Sequence, residues 1–398
     1  MSPGVPLLPR FLRATLTLAL LLLAPGCETV QSALGMKQDL RGRHVQRLEA
    51  EVRGGSALCP GAHKPLVVTA VLEDGSRLVT EGAGGGKLRW ESFQLQPLGA
   101  ITVTPQGEIH LDKDPQRLTA GPLAVRVEAP GHGAVEVPLS ARYDCVFLVD
   151  FSGKPGRDGE PGITGGSGLS GRDMPGASMS GPRRGLPGEY GGPGFNGGNG
   201  ETGQDGENVE VDVSLAGSAE KPLLQVIARG VSSNRTDRFL VDPQGGRLTI
   251  RTNGGAGGAG GQGGMGGSGG QGADGIPPGN GGNGGTGGTG GNGGDGGRGG
   301  HILLRVTPEA RALRELLRFE NRGGPGGPPG QGGAGGHGGM PGSATMGRTP
   351  SSYYVASRGM DGASGTPGQA GKPGHAGPPV ETQVPPAPVS NTGAAPTP

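Results

Sequence analysis

Residues 281–299 read GGNGGTGGTGGNGGDGGRG. Glycine holds every third position without a miss, and a second glycine follows it in each triplet. The backbone helix with three residues per turn is polyproline II, which rises about 3.1 Å per residue. A strict triplet therefore keeps one face of such a helix free of side chains, and a doubled glycine keeps two faces free. Another backbone can pack directly on a bare face. Five more stretches hold the same triplet register: 153–171, 185–206, 254–275, 324–342 and 359–377. In chain order these are runs one to six, with 281–299 as run four. Each would extend roughly 60 Å as polyproline II.

Three readings compete for this pattern. In a collagen triple helix three chains share an axis of glycine. In a polyproline II bundle one chain folds back and forth and its own rods pack side by side. A glycine-rich chain can also stay an unstructured linker. Breaks between runs favour the bundle, because lost register does not matter there. Ile276-Pro277-Pro278-Gly279-Asn280, between runs three and four, is long enough only to reverse direction. The doubled glycines of runs three and four, and in part run five, point the same way. A triple helix needs one glycine per triplet, and a second only adds backbone entropy to lose. Runs one, two and six carry mostly single glycines with Lys154, Arg157, Asp158, Glu160, Glu189, Tyr190, Asp361 and Lys372, as outer rods would.

The doubled-glycine runs resemble the glycine-rich polyproline II bundles of snow flea antifreeze protein and of some phage tail-fibre adhesin tips. Residues 153–162 (GKPGRDGEPG) and 365–374 (GTPGQAGKPG) resemble bacterial collagen-like proteins. The likeness covers about residues 153–379. It implies backbone geometry and little about function. The chain departs from both groups by placing ordinary hydrophobic segments between the runs.

Those inserts, at 207–253 and 300–323, read as small sheets and one helix. Residues 208–215 (NVEVDVSL) alternate like a half-buried strand, and 223–228 (LLQVIA) follow as another. Phe239-Leu240-Val241 and Leu248-Thr249-Ile250 flank Asp242-Pro243-Gln244-Gly245-Gly246, which predicts a hairpin. Residues 301–307 (HILLRVT) are again strand-like. Thr307 and Pro308 then make a helix start, with Leu313, Leu316 and Leu317 on one face.

The chain begins with Arg10 and Arg13 ahead of an apolar stretch from Ala14 to Ala24, which reads as a secretion signal over 1–26. Leu23-Ala24-Pro25-Gly26-Cys27 resembles a bacterial lipobox, although Pro25 departs from the usual pattern. The resemblance implies diacylation of Cys27, a membrane partner through that anchor, and, with Glu28 next, placement at the outer membrane or cell surface. Residues 27–58 are then a lipidated tether. If Cys27 carries lipid, Cys59 and Cys145 remain as an even pair in an oxidising compartment and are expected to be bridged. Between them lie short apolar segments at 66–72, 88–95, 101–104, 123–127 and 135–139. Turn signals at Asp74-Gly75, Gln106-Gly107 and 131–133 separate them. Residues 59–150 therefore predict a β-sandwich of immunoglobulin size, with Trp90 in its core.

The expected fold class is mainly β plus polyproline II: an N-terminal β-sandwich, then over 151–379 a six-rod glycine-rich bundle with small β inserts, then a disordered tail over 380–398. Formal net charge is +1, from 35 basic and 34 acidic residues, and no basic stripe carries interleaved aromatics, so nucleic acid is not an expected partner. Three histidines in or beside the runs, His301, His337 and His375, lack the spacing of a metal site. Residues 269–277 fit a calcium nonapeptide once, without the tandem copy that such sites need. No catalytic set, cofactor or metal is expected. The chain is expected to be an exported lipoprotein with a structural or adhesive role, monomeric when soluble. The candidate binding face is Asn283, Thr286, Thr289 and Asn292, spaced about 9 Å apart in run four, for a surface ligand or matrix polymer. Alternatives are a collagen-like trimeric envelope or matrix component, and a secreted ice- or glycan-binding protein.

Overall fold

The computed structural model describes residues 37–172, 184–218, 220–344 and 355–383. The secretion signal and Cys27 lie outside the described residues. The chain divides into two compact units, with the break at Cys145 and Val146 and with Arg238–Leu240 grouped with the first.

The first unit is two sheets closed on one core. Its strands are β1 (Val45–Val52), β2 (Ala57–Leu58), β3 (His63–Leu72), β4 (Arg77–Val79), β5 (Gln94–Leu98), β6 (Ile101–Val103), β7 (Glu108–Leu111), β8 (Leu123–Ala129) and β9 (Gly133–Ala141). One sheet runs β1-β3-β7-β6 with β4 on β3, and the other β2-β9-β8-β5. Alternation decides which side chains go inside. Leu66, Val68 and Ala70 of β3 are fully buried, as are Val125 and Val127 of β8, while the residues between them stay partly or wholly exposed. Between β7 and β8 sits the short helix α1 (Pro115–Leu118), whose start is capped by the Asp114 carboxylate accepting the Gln116 N–H at 3.0 Å.

Two sequence expectations change in this unit. The stretch 88–95 is not one strand. Leu88 makes isolated bridges to Gln38 and Thr80, Trp90–Ser92 form a 3-10 turn, and β5 starts only at Gln94. The turn drops Trp90 into the core, 6% exposed and edge-on to Phe93. Its ring covers Gly107, whose φ of +77° and missing Cβ are both required: a Cβ there would lie 2.5 Å from Trp90 Cζ2. The unit also starts earlier than expected, since β1 and β2 lie inside the segment read as a tether. Cys59 and Cys145 form the disulfide that their number suggested.

The remaining strands are β10 (Val146–Asp150), β11 (Val209–Ser218), β12 (Lys221–Gly230), β13 (Thr236–Val241), β14 (Arg247–Arg251), β15 (Ile302–Val306), β16 (Leu317–Glu320) and β17 (Glu381–Gln383), all in the second unit but for Arg238–Leu240 of β13. A three-stranded parallel sheet orders β10-β14-β16, and a five-stranded sheet orders β13-β12-β11-β15-β17. In the second sheet β11 and β12 pair antiparallel as a hairpin, and β15 and β17 join in parallel. One face of each sheet is buried, by Phe147, Val149, Leu248 and Ile250 in the first and by Val209, Val211, Val213, Ile302 and Leu304 in the second.

Each run is attached to these sheets. Runs one, three and five leave β10, β14 and β16. Runs two, four and six lead into β11, β15 and β17. The runs are neither strand nor helix, yet their backbones are hydrogen-bonded at every third residue. The amides of Gly153, Gly156 and Gly159 donate to the carbonyls of Asn253, Ala256 and Ala259, and those of Gly254, Gly257 and Gly260 to Arg322, Pro325 and Pro328. Runs two, four and six repeat this: Gly188 and Gly191 donate to Asn280 and Asn283, and Gly281 and Gly284 to Ser357 and Met360. Antiparallel bonds join the two sets, as from Gly255 to Gln204, Gly282 to Gly270 and Gly324 to Gly297.

These sheets correct the expected fold class. Strands make up 32% of the chain and helices 6%, which conflicts with a sandwich followed by a six-rod polyproline II bundle; the β-rich part of the expectation holds. The strands are not small inserts. They carry the apolar side chains that can drive folding, and the parallel register of each sheet passes into the runs it feeds. The 93-residue spacing that pairs Val209 with Ile302 recurs where Asn199 Oδ1 accepts the Asn292 N–H. The 69-residue spacing of Leu248 and Leu317 recurs between Asn253 and Arg322.

Other local expectations shift with this topology. β10 lies in the segment assigned to the sandwich but pairs with β14 in the second unit. The hairpin expected around 242–246 does not form. Asp242 does cap the turn, accepting the Gln244 N–H at 2.8 Å, and Gly245 takes φ +112°, but the turn carries the chain from one sheet to the other. The expected helix is a 3-10 segment, Pro308–Leu316, with Thr307 giving no side-chain cap. It stops there because Leu317 pairs with Leu248 in β14. Glu381–Gln383, inside the segment read as a disordered tail, add a strand to β15.

Candidate binding face

Run four supplies the candidate face, and its neighbours are runs two and six. The residue before each register glycine in runs two and four, and the residue after it in run six, sit side by side. Gly191 donates to the carbonyl of Asn283, which brings Tyr190 beside it, and Gly284 donates to Met360. The same spacing aligns Asn196 with Thr289 and Thr366, and Asn199 with Asn292 and Gln369. All six of these residues are exposed.

The four sequence-chosen residues are brought onto one face, but they do different work. Asn283 is half-buried, and its Oδ1 accepts the Met360 N–H at 2.9 Å. Asn292 Oδ1 accepts the Gln369 N–H at 2.8 Å. Thr286 and Thr289 are exposed, and Asn196 Oδ1 takes the Thr289 N–H at 2.9 Å. The asparagines are therefore brackets between parallel runs, and the threonine side chains remain for solvent or a ligand.

This bracket is general, and sequence reading missed it. Asp158, Asn196, Asn199, Asp205, Asn253, Asp274, Asn280, Asn283, Asn292 and Asp295 each stand before a register glycine. Each gives Oδ1 to a backbone N–H of the next parallel run. A side-chain oxygen three bonds from Cα has the reach for this, as it does in Asx turns. The signal was legible as Asn-Gly and Asp-Gly inside the triplets. Asp274, within the calcium-like nonapeptide, is one of these brackets, bonded to the Ser343 N–H at 2.6 Å. Runs five and six have no following parallel run; run five has no Asx before a register glycine, and in run six Asp361, before Gly362, instead accepts an N–H of run five.

Charged residues gather at the ends of the rows. Asp361 accepts the Gly338 N–H at 2.7 Å, and that bond, with Arg358 and His337 nearby, holds its carboxyl below the usual range. His301 approaches Glu381 and His337 approaches Asp361, each in a pair with a single carboxylate. Among the described residues no three His, Cys, Asp or Glu are grouped for a metal ion, and no helix is long and apolar enough to cross a membrane.

No protein-family model and no curated protein matches the chain. Among solved structures, one similar chain is the springtail antifreeze protein of Granisotoma rainieri, described as a nine polyproline type II helical bundle. It is 26% identical, covers 48% of this chain and 95% of its own, and superposes with a TM-score of 0.07, too low to bear on fold or function.

Proposed function

We propose that this chain is an exported lipoprotein with a structural or adhesive role, holding a regular surface outward from a membrane to which Cys27 attaches it. One observation carries the reading: exposed side chains repeat at every third residue along runs two, four and six, in rows kept level by backbone bonds and Asx brackets. Such a surface suits many weak, repeated contacts with an extended polymer or solid. It needs no reacting group. The alternative of a collagen-like trimer has little to use, because the register glycines already face runs of the same chain.

Three experiments test this. Metabolic labelling with a lipid precursor should mark the wild type and not Cys27→Ser; equal labelling would remove the anchor from the proposal. Thr286→Lys with Thr289→Lys should reduce attachment of producing cells to cellulose or polystyrene while leaving the melting curve unchanged. If deleting the whole chain alters neither attachment nor envelope resistance to detergent, the structural or adhesive role is wrong.

A further inference from the structure

The outer edge formed by runs one and two carries exposed apolar side chains in a regular arrangement. Along run one, the residues after each register glycine pair with run two through backbone bonds. Glu189 donates to Leu169, Gly192 to Gly166, Phe195 to Ile163 and Gly198 to Glu160. Leu186 donates to Arg172 at 3.4 Å. These residues turn away from runs three and four, because the following position in each triplet faces those runs. Asp158 brackets Ala259, and Asn196 and Asn199 bracket Thr289 and Asn292.

Three large apolar side chains stand exposed on this edge: Ile163 at 73%, Leu169 at 59% and Phe195 at 63%. Between them Gly166 and Gly192 leave a gap, and a Cβ on Gly166 would meet nothing within 4 Å. Read outward from Gly166, run one is a palindrome in chemistry. Three residues away on either side are Ile163 and Leu169. Six residues away are Glu160 and Arg172.

We propose that this edge binds a second copy of the chain, with the two copies of run one antiparallel about a two-fold axis at Gly166. Such an axis places each residue opposite the one equally far beyond Gly166 in the partner. Ile163 then meets Leu169 of the partner subunit, with Phe195 beside it, and Glu160 meets Arg172 of the partner subunit. Apolar faces apolar and acid faces base, twice over, as an isologous contact requires. The glycines at the centre let the two backbones approach. The side chains that stop a seventh run from packing here are the ones that make the contact. This proposal replaces the expectation of a monomer, and it does not depend on what the exposed threonine rows bind.

The test uses the full exported chain in a Cys27→Ser background. Ile163→Cys combined with Leu169→Cys should give a covalent dimer on a non-reducing gel. Each single change should not, because identical positions would lie six residues apart along the run, about 19 Å at about 3.1 Å per residue, far beyond disulfide reach. Sedimentation gives a second reading. Glu160→Arg should lower dimer affinity at least tenfold, and adding Arg172→Glu should restore it. Cross-linking by either single variant, a dimer unaffected by Glu160→Arg, failure of the double charge reversal to rescue, or wild type sedimenting as one chain or three would each overturn the proposal.

Discussion

Gly284→Val tests the packing of the runs most directly. A Cβ on Gly284 would fall onto the carbonyl oxygen of Gly336, 2.5 Å from its carbon and 3.0 Å from the Gly362 nitrogen. Backbone on both sides cannot turn away as a side chain would. Runs five and six must move outward by more than 1 Å, roughly, to restore ordinary contact near 3.5–4.0 Å. That movement stretches three bonds: Gly284 to Met360 at 2.9 Å, Gly336 to Gly285 at 2.8 Å and Gly362 to Gly336 at 2.8 Å. At about 1 kcal/mol each, with about 1–3 kcal/mol for the overpacked site, the loss is about 4–6 kcal/mol. A domain is stable by only about 5–15 kcal/mol, so the second unit should be near unfolding at room temperature. Thr286→Val, two residues on and exposed, should change stability by less than about 0.5 kcal/mol. Gly166→Ala should leave the folding stability of a single chain equally little changed, since within the chain its Cβ meets nothing within 4 Å. Denaturant unfolding followed by circular dichroism separates these cases. If Gly284→Val unfolds with the wild-type midpoint, the close backbone packing of the runs is refuted.

Three further outcomes are expected. Cys59→Ser with Cys145→Ser should destabilise the first unit by about 4–5 kcal/mol, because the bridge closes a separation of 86 residues; a midpoint within experimental error of wild type would contradict this. The hydrogen bond from Arg251, 2.9 Å from Glu320, holds that carboxyl below its ordinary 4.5, so its contribution is complete above that pH and disappears as pH falls through the lowered value. Melting of Glu320→Gln should therefore depend less on pH below about 4.5 than wild type does, and identical acid limbs would count against the pair. Asn292→Leu should cost about 1 kcal/mol by removing the acceptor of the Gln369 N–H, whereas Asn292→Asp should be tolerated, as Asp295 already fills the same role one triplet on; equal stability of both variants would refute the bracket.

Much of this molecule could be read from local patterns. Alternation in 208–215 marked β11, because burial of one sheet face leaves a period of two in the chain, and the apolar stretch 223–228 marked β12. The even pair of cysteines indicated the bridge. Doubled glycines marked runs three and four, which are flanked on more sides than runs one and six. Asn-Gly and Asp-Gly within the triplets held the bracket positions but were not read as such. The candidate threonines are exposed, whereas their flanking asparagines are tied to run six.

Sequence alone determined where side chains had to be absent, since a backbone-to-backbone approach admits only glycine. It could not determine register, for a physical reason: a glycine triplet slid by three residues against its neighbour makes the same bonds. Only tertiary structure removes that degeneracy. β10, β14 and β16 pair at long separations, as do β11, β15 and β17, and each short apolar strand looks alike until its partners are known. Their side chains fit one alignment, the attached runs inherit it, and the Asx brackets hold it along their length.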